Sequence, residues 1–148
     1  MTDPPQPIFF IDWCLGKSVA SALSDTGAQV EHHSDHFPQD APDTLWLSTV
    51  GQNGWIVLTK DQNVGRNPLE LQAIAAHTVK VFTLVSGNST RQEMITLFVA
   101  VLPKIAKLSQ GNPAPFIAKI YRNRTVKIWK NQTALLKLLK PPPKTPNS

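Results

Sequence analysis

The chain has 148 residues, enough for one domain, and at 41% hydrophobic and 17% charged it can bury a core, so wholesale disorder is excluded. One cysteine excludes a disulfide framework and a cysteine-based zinc knuckle. The net charge of +5 hides an asymmetry: Met1–Glu93 holds 10 acids and 5 bases, and Met94–Ser148 holds 10 bases and no acid. A basic last third calls for a polyanionic partner, or else is a solvated face.

In chain order, the polar, Pro-rich residues 1–6 read as a frayed start with no basic and apolar leader, and no apolar run approaches membrane-spanning length. These features point to a cytoplasmic protein. Pro7–Trp13 is a short apolar run interrupted by Asp12, the pattern of a buried parallel strand. Lys17–Ser24 carries Val19, Ala20 and Leu23 at helical spacing, and Thr26-Gly27 ends that helix. Ala28–His33 is a second strand. Ser34–Pro42, with two prolines and no apolar period, reads as a loop, and His32, His33 and His36 around Asp35 read as a His-rich polar segment rather than a transition-metal site. Asp43 N-caps a helix ended by Gly51 and Gly54, and Trp55–Thr59 is a third strand followed by Asp61. Pro68 opens a further helix, and Val79–Val85 is a fourth strand. Thr90 caps a long helix to about Lys107, which Pro103 kinks or ends. Pro115–Tyr121 and Thr125–Trp129 form a β-hairpin, Gln132–Lys140 a short basic helix, and Pro141–Ser148 a disordered tail.

Alternating strands and helices imply an α/β fold: three layers, α/β/α, around a mainly parallel central sheet, closed by the C-terminal β-hairpin and a basic helix and tail. The domain spans residues 7–130, with residues 1–6 a flexible N-terminus and 131–148 the basic helix and Pro-rich tail.

Chemistry collects at strand ends. Asp12 and Asp61 each follow an apolar strand, and in such sheets the carboxyl ends line the ligand crevice. Asp43 joins them if the Ser34–Pro42 loop turns back over that edge. Carboxylates brought together there call for a cation, and oxygen donors suit Mg²⁺ or Mn²⁺. Asp35 and Glu70 are further candidates, although an i,i+4 pair with Arg66 is the default reading of Glu70. Lys60 and Arg66 stand where a substrate phosphate could be held. Lys119, Arg122, Arg124 and Lys127, interleaved with Tyr121 and Trp129, are the residue types that bind single-stranded RNA, or that guard an edge strand. Cys14 reads as a buried small apolar residue. The segment IDWCLG lacks the DxD of a haloacid-dehalogenase phosphatase, and GKS lacks the earlier glycine of a P-loop.

The segments FFIDWCLGKSVASAL, GAQVEHHSDHF, DTLWLSTVGQNGWIVLTKD and NPLE resemble the PIN-domain ribonuclease superfamily, in its branch of VapC-type toxins. The resemblance covers Pro7–Trp129. It implies a metal-dependent endoribonuclease whose acids bind Mg²⁺ or Mn²⁺ and whose metal-activated water attacks an RNA phosphodiester. Carried over, Asp12 matches the first-strand acid, Asp61 the later strand-end acid, and Asp43 the helix-start acid of this branch. The mid-chain helical Glu of the superfamily has no clear counterpart, so Glu70 or Asp35 would have to substitute. The resemblance also implies an acidic antitoxin protein as partner and a homodimer. The alternative is a catalytically degenerate module that binds RNA or a protein without cutting.

Overall fold

The structure, a computed structural model, describes residues 6–61, 63–85 and 89–139. The disordered tail expected at Pro141–Ser148 lies outside the described residues. Eleven principal elements follow one another: β1 (Ile8–Ile11), α1 (Lys17–Ser24), β2 (Gln29–His32), α2 (Asp43–Asn53), β3 (Ile56–Thr59), α3 (Pro68–Ala76), β4 (Lys80–Val85), α4 (Arg91–Gly111), β5 (Phe116–Tyr121), β6 (Val126–Lys130) and α5 (Gln132–Leu136). Short 3₁₀ turns follow β1, β2 and α5.

The strands form one sheet in the order β2-β1-β3-β4-β5-β6. The first five run parallel, and β6 returns antiparallel to β5 as the second arm of the hairpin. This is the mainly parallel α/β/α architecture read from the sequence. Because β2 lies on one side of β1 and β3 on the other, the chain reverses direction across the sheet between them. That reversal is the switch point where parallel sheets open a crevice at their carboxyl edge.

Strand alternation divides the core in two. Phe9, Ile11, Leu58, Phe82 and Phe116 face α1 and α4, whereas Phe10, Val57, Val81 and Ile117 face α2, α3 and α5. Phe10 is fully buried and stacks between Trp46 and Trp55, at centroid distances of 5.5 and 5.8 Å. Leu135 of α5 is buried in the same layer, so α5 packs onto the body of the domain.

Three expectations change on contact with the fold. Pro42, not Asp43, is the N-cap of α2, which leaves the Asp43 carboxylate free for other work. Gly51 does not end α2. It lies inside the helix, where a Cβ would stand 2.1 Å from the His77 carbonyl oxygen, and Gly54 at φ +67° ends the helix instead. Pro103 sits inside α4, which runs on to Gly111. The proline removes a hydrogen bond to the carbonyl of Val99, on the exposed side of the helix where water can replace the lost donor. By length and composition α4 is also the one described helix that could cross a bilayer, but its apolar residues Met94, Leu97, Phe98, Val101 and Ile105 are committed to the sheet.

Gly51→Ala forces a methyl group into backbone that cannot retreat. We expect it to destabilise the domain by about 2 kcal/mol or more, a fall of roughly 4–8 °C in melting temperature for a chain of this size. An unchanged melting temperature would show that α2 and the end of α3 are not in contact as described.

Candidate active site

The site grows from the ends of β1 and β3, adjacent strands at the switch point. The backbone N–H of Asp12 donates to the Leu58 carbonyl at 3.0 Å, carrying the ladder one residue past β1. That register sets the Asp12 carboxylate beside Thr59, the last residue of β3. The buried Thr59 hydroxyl donates to Asp12 Oδ2 at 2.7 Å and accepts the Asp61 backbone N–H at 3.1 Å. One hydroxyl therefore fixes both strand-end acids. Asp61 is further held by Asn63, whose N–H donates to Asp61 Oδ1 at 2.9 Å, and by Thr83, whose hydroxyl donates to the Asp61 carbonyl at 3.1 Å.

Two helices supply the remaining acids. Asp43 opens α2, where the Trp46 indole N–H donates to Asp43 Oδ1 at 2.9 Å. Glu70 lies in the first turn of α3 and is only 8% exposed. Asn67 caps that helix by accepting the Leu69 and Glu70 N–H groups. Because Arg66 precedes the helix, the i,i+4 pair read from the sequence does not form. Instead Glu70 turns inward. Asp12, Asp43, Asp61 and Glu70 line one cavity of about 30 Å³, floored by Leu47, Val57 and Ile74. Of the two substitutes considered for the helical Glu, the structure brings Glu70 to the acids. Asp35 does not line this cavity; it sits exposed on the turn after β2.

Four carboxyls in one small space cannot all ionise cheaply. The strain falls on Glu70, whose pKa is pushed up to about 8. Burial is the main cause, followed by its hydrogen bond with Asp43 and by the negative charges of Asp43, Asp61 and Asp12. At neutral pH Glu70 keeps its proton and donates to Asp43. The donor set is all oxygen and strongly negative, which fits a hard divalent cation. Among the described residues, no group of three or more His, Cys, Asp or Glu side chains already stands arranged around a common point. Each acid instead satisfies itself on Thr59, Trp46, Asn63 or a neighbouring acid.

Cys14 packs against the core as expected of a small apolar residue, but it is only partly buried and also makes polar contacts. Its Sγ lies 3.4 Å from Asp12 Oδ2 and 3.3 Å from the Thr59 hydroxyl. Burial, reinforced by the Asp12 charge, pushes its pKa up to about 11, so it stays a thiol and serves as a donor rather than a nucleophile. The His-rich segment also departs from a polar loop. His32 and His33 are buried and held neutral chiefly by desolvation, and His33 packs among Phe10, Trp13, Phe37 and Trp46 behind the acids. His36 pairs with Glu31 at 2.9 Å.

The basic candidates separate into groups. Lys60 is exposed beside Asp61. Arg66, Lys119 and Trp129 line a cleft of about 50 Å³ that shares Val64 with the acid cavity. Lys127 stands opposite Lys119 in the hairpin register. Arg122 and Arg124 instead border a separate cavity against the start of α4, on the other side of the sheet. Sequence reasoning passed over Thr59, although a hydroxyl two residues before Asp61 at a strand end was there to be noticed. It also passed over Trp13, which is 40% exposed next to Asp12.

Comparison with known proteins places the chain in a family. A family model described as "PIN like domain" matches residues 7–86, which hold all four acids. The chain is 26% identical over 124 residues to the "Putative ribonuclease VapC45" of Mycobacterium tuberculosis (strain ATCC 25618 / H37Rv), covering 80% of this chain and 89% of the relative. No solved structure gives a significant match.

The raised pKa of Glu70 has a thermodynamic sign. In the unfolded chain Glu70 titrates near its ordinary value of 4.5, and in the folded chain near 8. Between those values the folded state holds the extra proton, so this stabilising contribution is complete below about pH 4.5 and is lost as pH rises through 8. In EDTA, the melting temperature should fall by several degrees between pH 6 and 9, and Glu70→Gln should flatten that fall. An equally steep fall in the variant would place the titration elsewhere.

Proposed function

The chain belongs to the PIN-like domain family, and from that premise we propose that it is an Mg²⁺- or Mn²⁺-dependent endoribonuclease hydrolysing RNA phosphodiesters. The observation that carries this reading is the convergence of Asp12, Asp43, Asp61 and Glu70 on one cavity, with Glu70 forced to hold a proton. A divalent ion bound there supplies a water of lowered pKa and offsets the charge of the scissile phosphate. Asp12 and Asp61 are the principal ligands, with Asp43 and Glu70 completing the oxygen set. A cation held there would offset the repulsion among the acids, so that Glu70 would release its proton to solvent and join the ligands as a carboxylate. Thr59 and Cys14 keep Asp12 pointing into the cavity. Lys60 and Arg66, with Lys119 and Lys127 of the hairpin, supply the positive charge that lets an RNA backbone approach an acidic site, whereas Arg122 and Arg124 stand apart from that path.

The relative's name places it among the VapC ribonucleases. On that likeness we read this chain as the toxin of a toxin–antitoxin pair, acting in the cytoplasm, able to dimerise and restrained by an acidic antitoxin protein. A binding module that does not cut is the reading that the failure of the following experiment would leave.

Purified protein is incubated with mixed RNA in Mn²⁺, Mg²⁺ or EDTA, beside Asp12→Asn and Asp61→Asn. Cleavage should require metal and fall by about 10²-fold or more in either variant. Thr59→Val, which removes the hydroxyl between the two acids but no ligand, should cost roughly 10- to 100-fold. Metal-independent cutting, or cutting indifferent to Asp12 and Asp61, would overturn the nuclease reading.

A further inference from the structure

The hairpin of β5 and β6 lies outside the stretch matched by the family model, yet it is built against the loop that carries Asp61. Trp129 on β6 presses its six-membered ring onto Gly65, which has φ +87°. A Cβ at Gly65 would stand 2.3 Å from Trp129 Cζ3, so a glycine is what lets the ring sit there. The ring remains 38% exposed. Two ammonium groups lie over it: Lys119 Nζ at 4.0 Å and Lys130 Nζ at 4.6 Å from the centroid. Arg66 closes the cleft on the loop side. No acid lines this cleft, and among the described residues the only ion pair joins His36 to Glu31. A flat aromatic face, three cations without a counter-charge and an opening next to the acids together form a receptor for a base with its phosphate.

We propose that the Arg66–Lys119–Trp129 cleft is a nucleotide subsite that selects single-stranded RNA, a statement that rests on the ribonuclease reading and adds a substrate preference to it. Trp129 stacks an unpaired base, and the ammonium groups that cover the ring in the free protein move to the phosphate of the same nucleotide. A base held in a duplex cannot enter, because its faces are already stacked on its neighbours. Trp129 itself stands on β6, three strand positions from the end of β3, whereas the near wall of the cleft is Thr83, whose hydroxyl donates to the Asp61 carbonyl. The stacked nucleotide is a neighbour of the one being cut. It fixes the strand as it leaves the acid cavity.

The test uses the full chain carrying Asp12→Asn, so that RNA survives the measurement. Binding of a labelled single strand of about eight mixed nucleotides is compared with binding of a duplex of the same sequence. Adding Trp129→Leu should weaken single-strand binding by roughly 5- to 100-fold, leave duplex binding within twofold, and leave the melting temperature near its starting value. In the cleaving protein the same change should raise KM more than it lowers kcat. Equal losses on both RNAs, no loss on either, or no measurable binding would overturn the proposal. If Trp129→Leu compromises folding, Lys119→Gln decides instead: a single-strand affinity that falls, with a salt slope smaller by about one, supports the subsite, and an unchanged affinity overturns it. Cutting by the unaltered protein with single-strand binding indifferent to Trp129 removes the subsite and keeps the nuclease. Trp129-dependent binding with no cutting in any metal keeps the subsite and removes the nuclease.

Discussion

Four carboxyl groups share a cavity of about 30 Å³, and the fold is arranged around that repulsion. Water would disperse such charge, but the cavity is walled by Trp46, Leu47, Val57, Ile74 and Val81. The chain answers with a retained proton on Glu70 and a donor for each remaining acid: Thr59 and Cys14 for Asp12, the Trp46 indole for Asp43, and the Asn63 N–H for Asp61. These bonds hold the acids in a state that a cation can take over. They do not remove the cost of bringing the acids together, which is what such a site exchanges for metal affinity.

The scaffold makes the arrangement possible by splitting its work between two cores. The layer under α1 and α4 is apolar throughout, aliphatic side chains with four phenylalanines and Met94, and it anchors the sheet. The layer under α2, α3 and α5 carries aromatic rings and buried histidines, and the acids emerge from its edge. The parallel register of β1 and β3 puts Asp12 beside Thr59, and the close approach of Gly51 to His77 brings α2 against the end of α3. Asp43 and Glu70, at the starts of those two helices, meet as a result.

Much of this was legible in the sequence. Short apolar runs ending in an acid marked β1 and β3, and the buried-strand pattern with intervening helices gave the α/β/α sheet. The helix Lys17–Ser24 was placed to the residue, and the hairpin was found by alternation around Asn123. What escaped were features set by tertiary contact. Glu70 stood as a candidate acid with an Arg66 pair as its default reading, and only the helix start at Pro68, after Arg66, decides for the core. Cys14 looked apolar because no catalytic histidine stood at a useful spacing; its bonds reach across 45 residues to Thr59. Lys119 and Trp129 could be assigned to one basic hairpin, and only the antiparallel register of β5 and β6 brings the ammonium over the ring.

The most direct measurement is calorimetric titration of the RNA-free protein with Mn²⁺ at pH 7, in buffers of different ionisation enthalpy. Since Glu70 holds a proton that a cation must displace, binding should release about one proton per protein, and Glu70→Gln should release none while binding more weakly. Absence of Mn²⁺ binding, or the same proton release from Glu70→Gln, would contradict the account of a carboxylate cluster held by its proton in readiness for a metal.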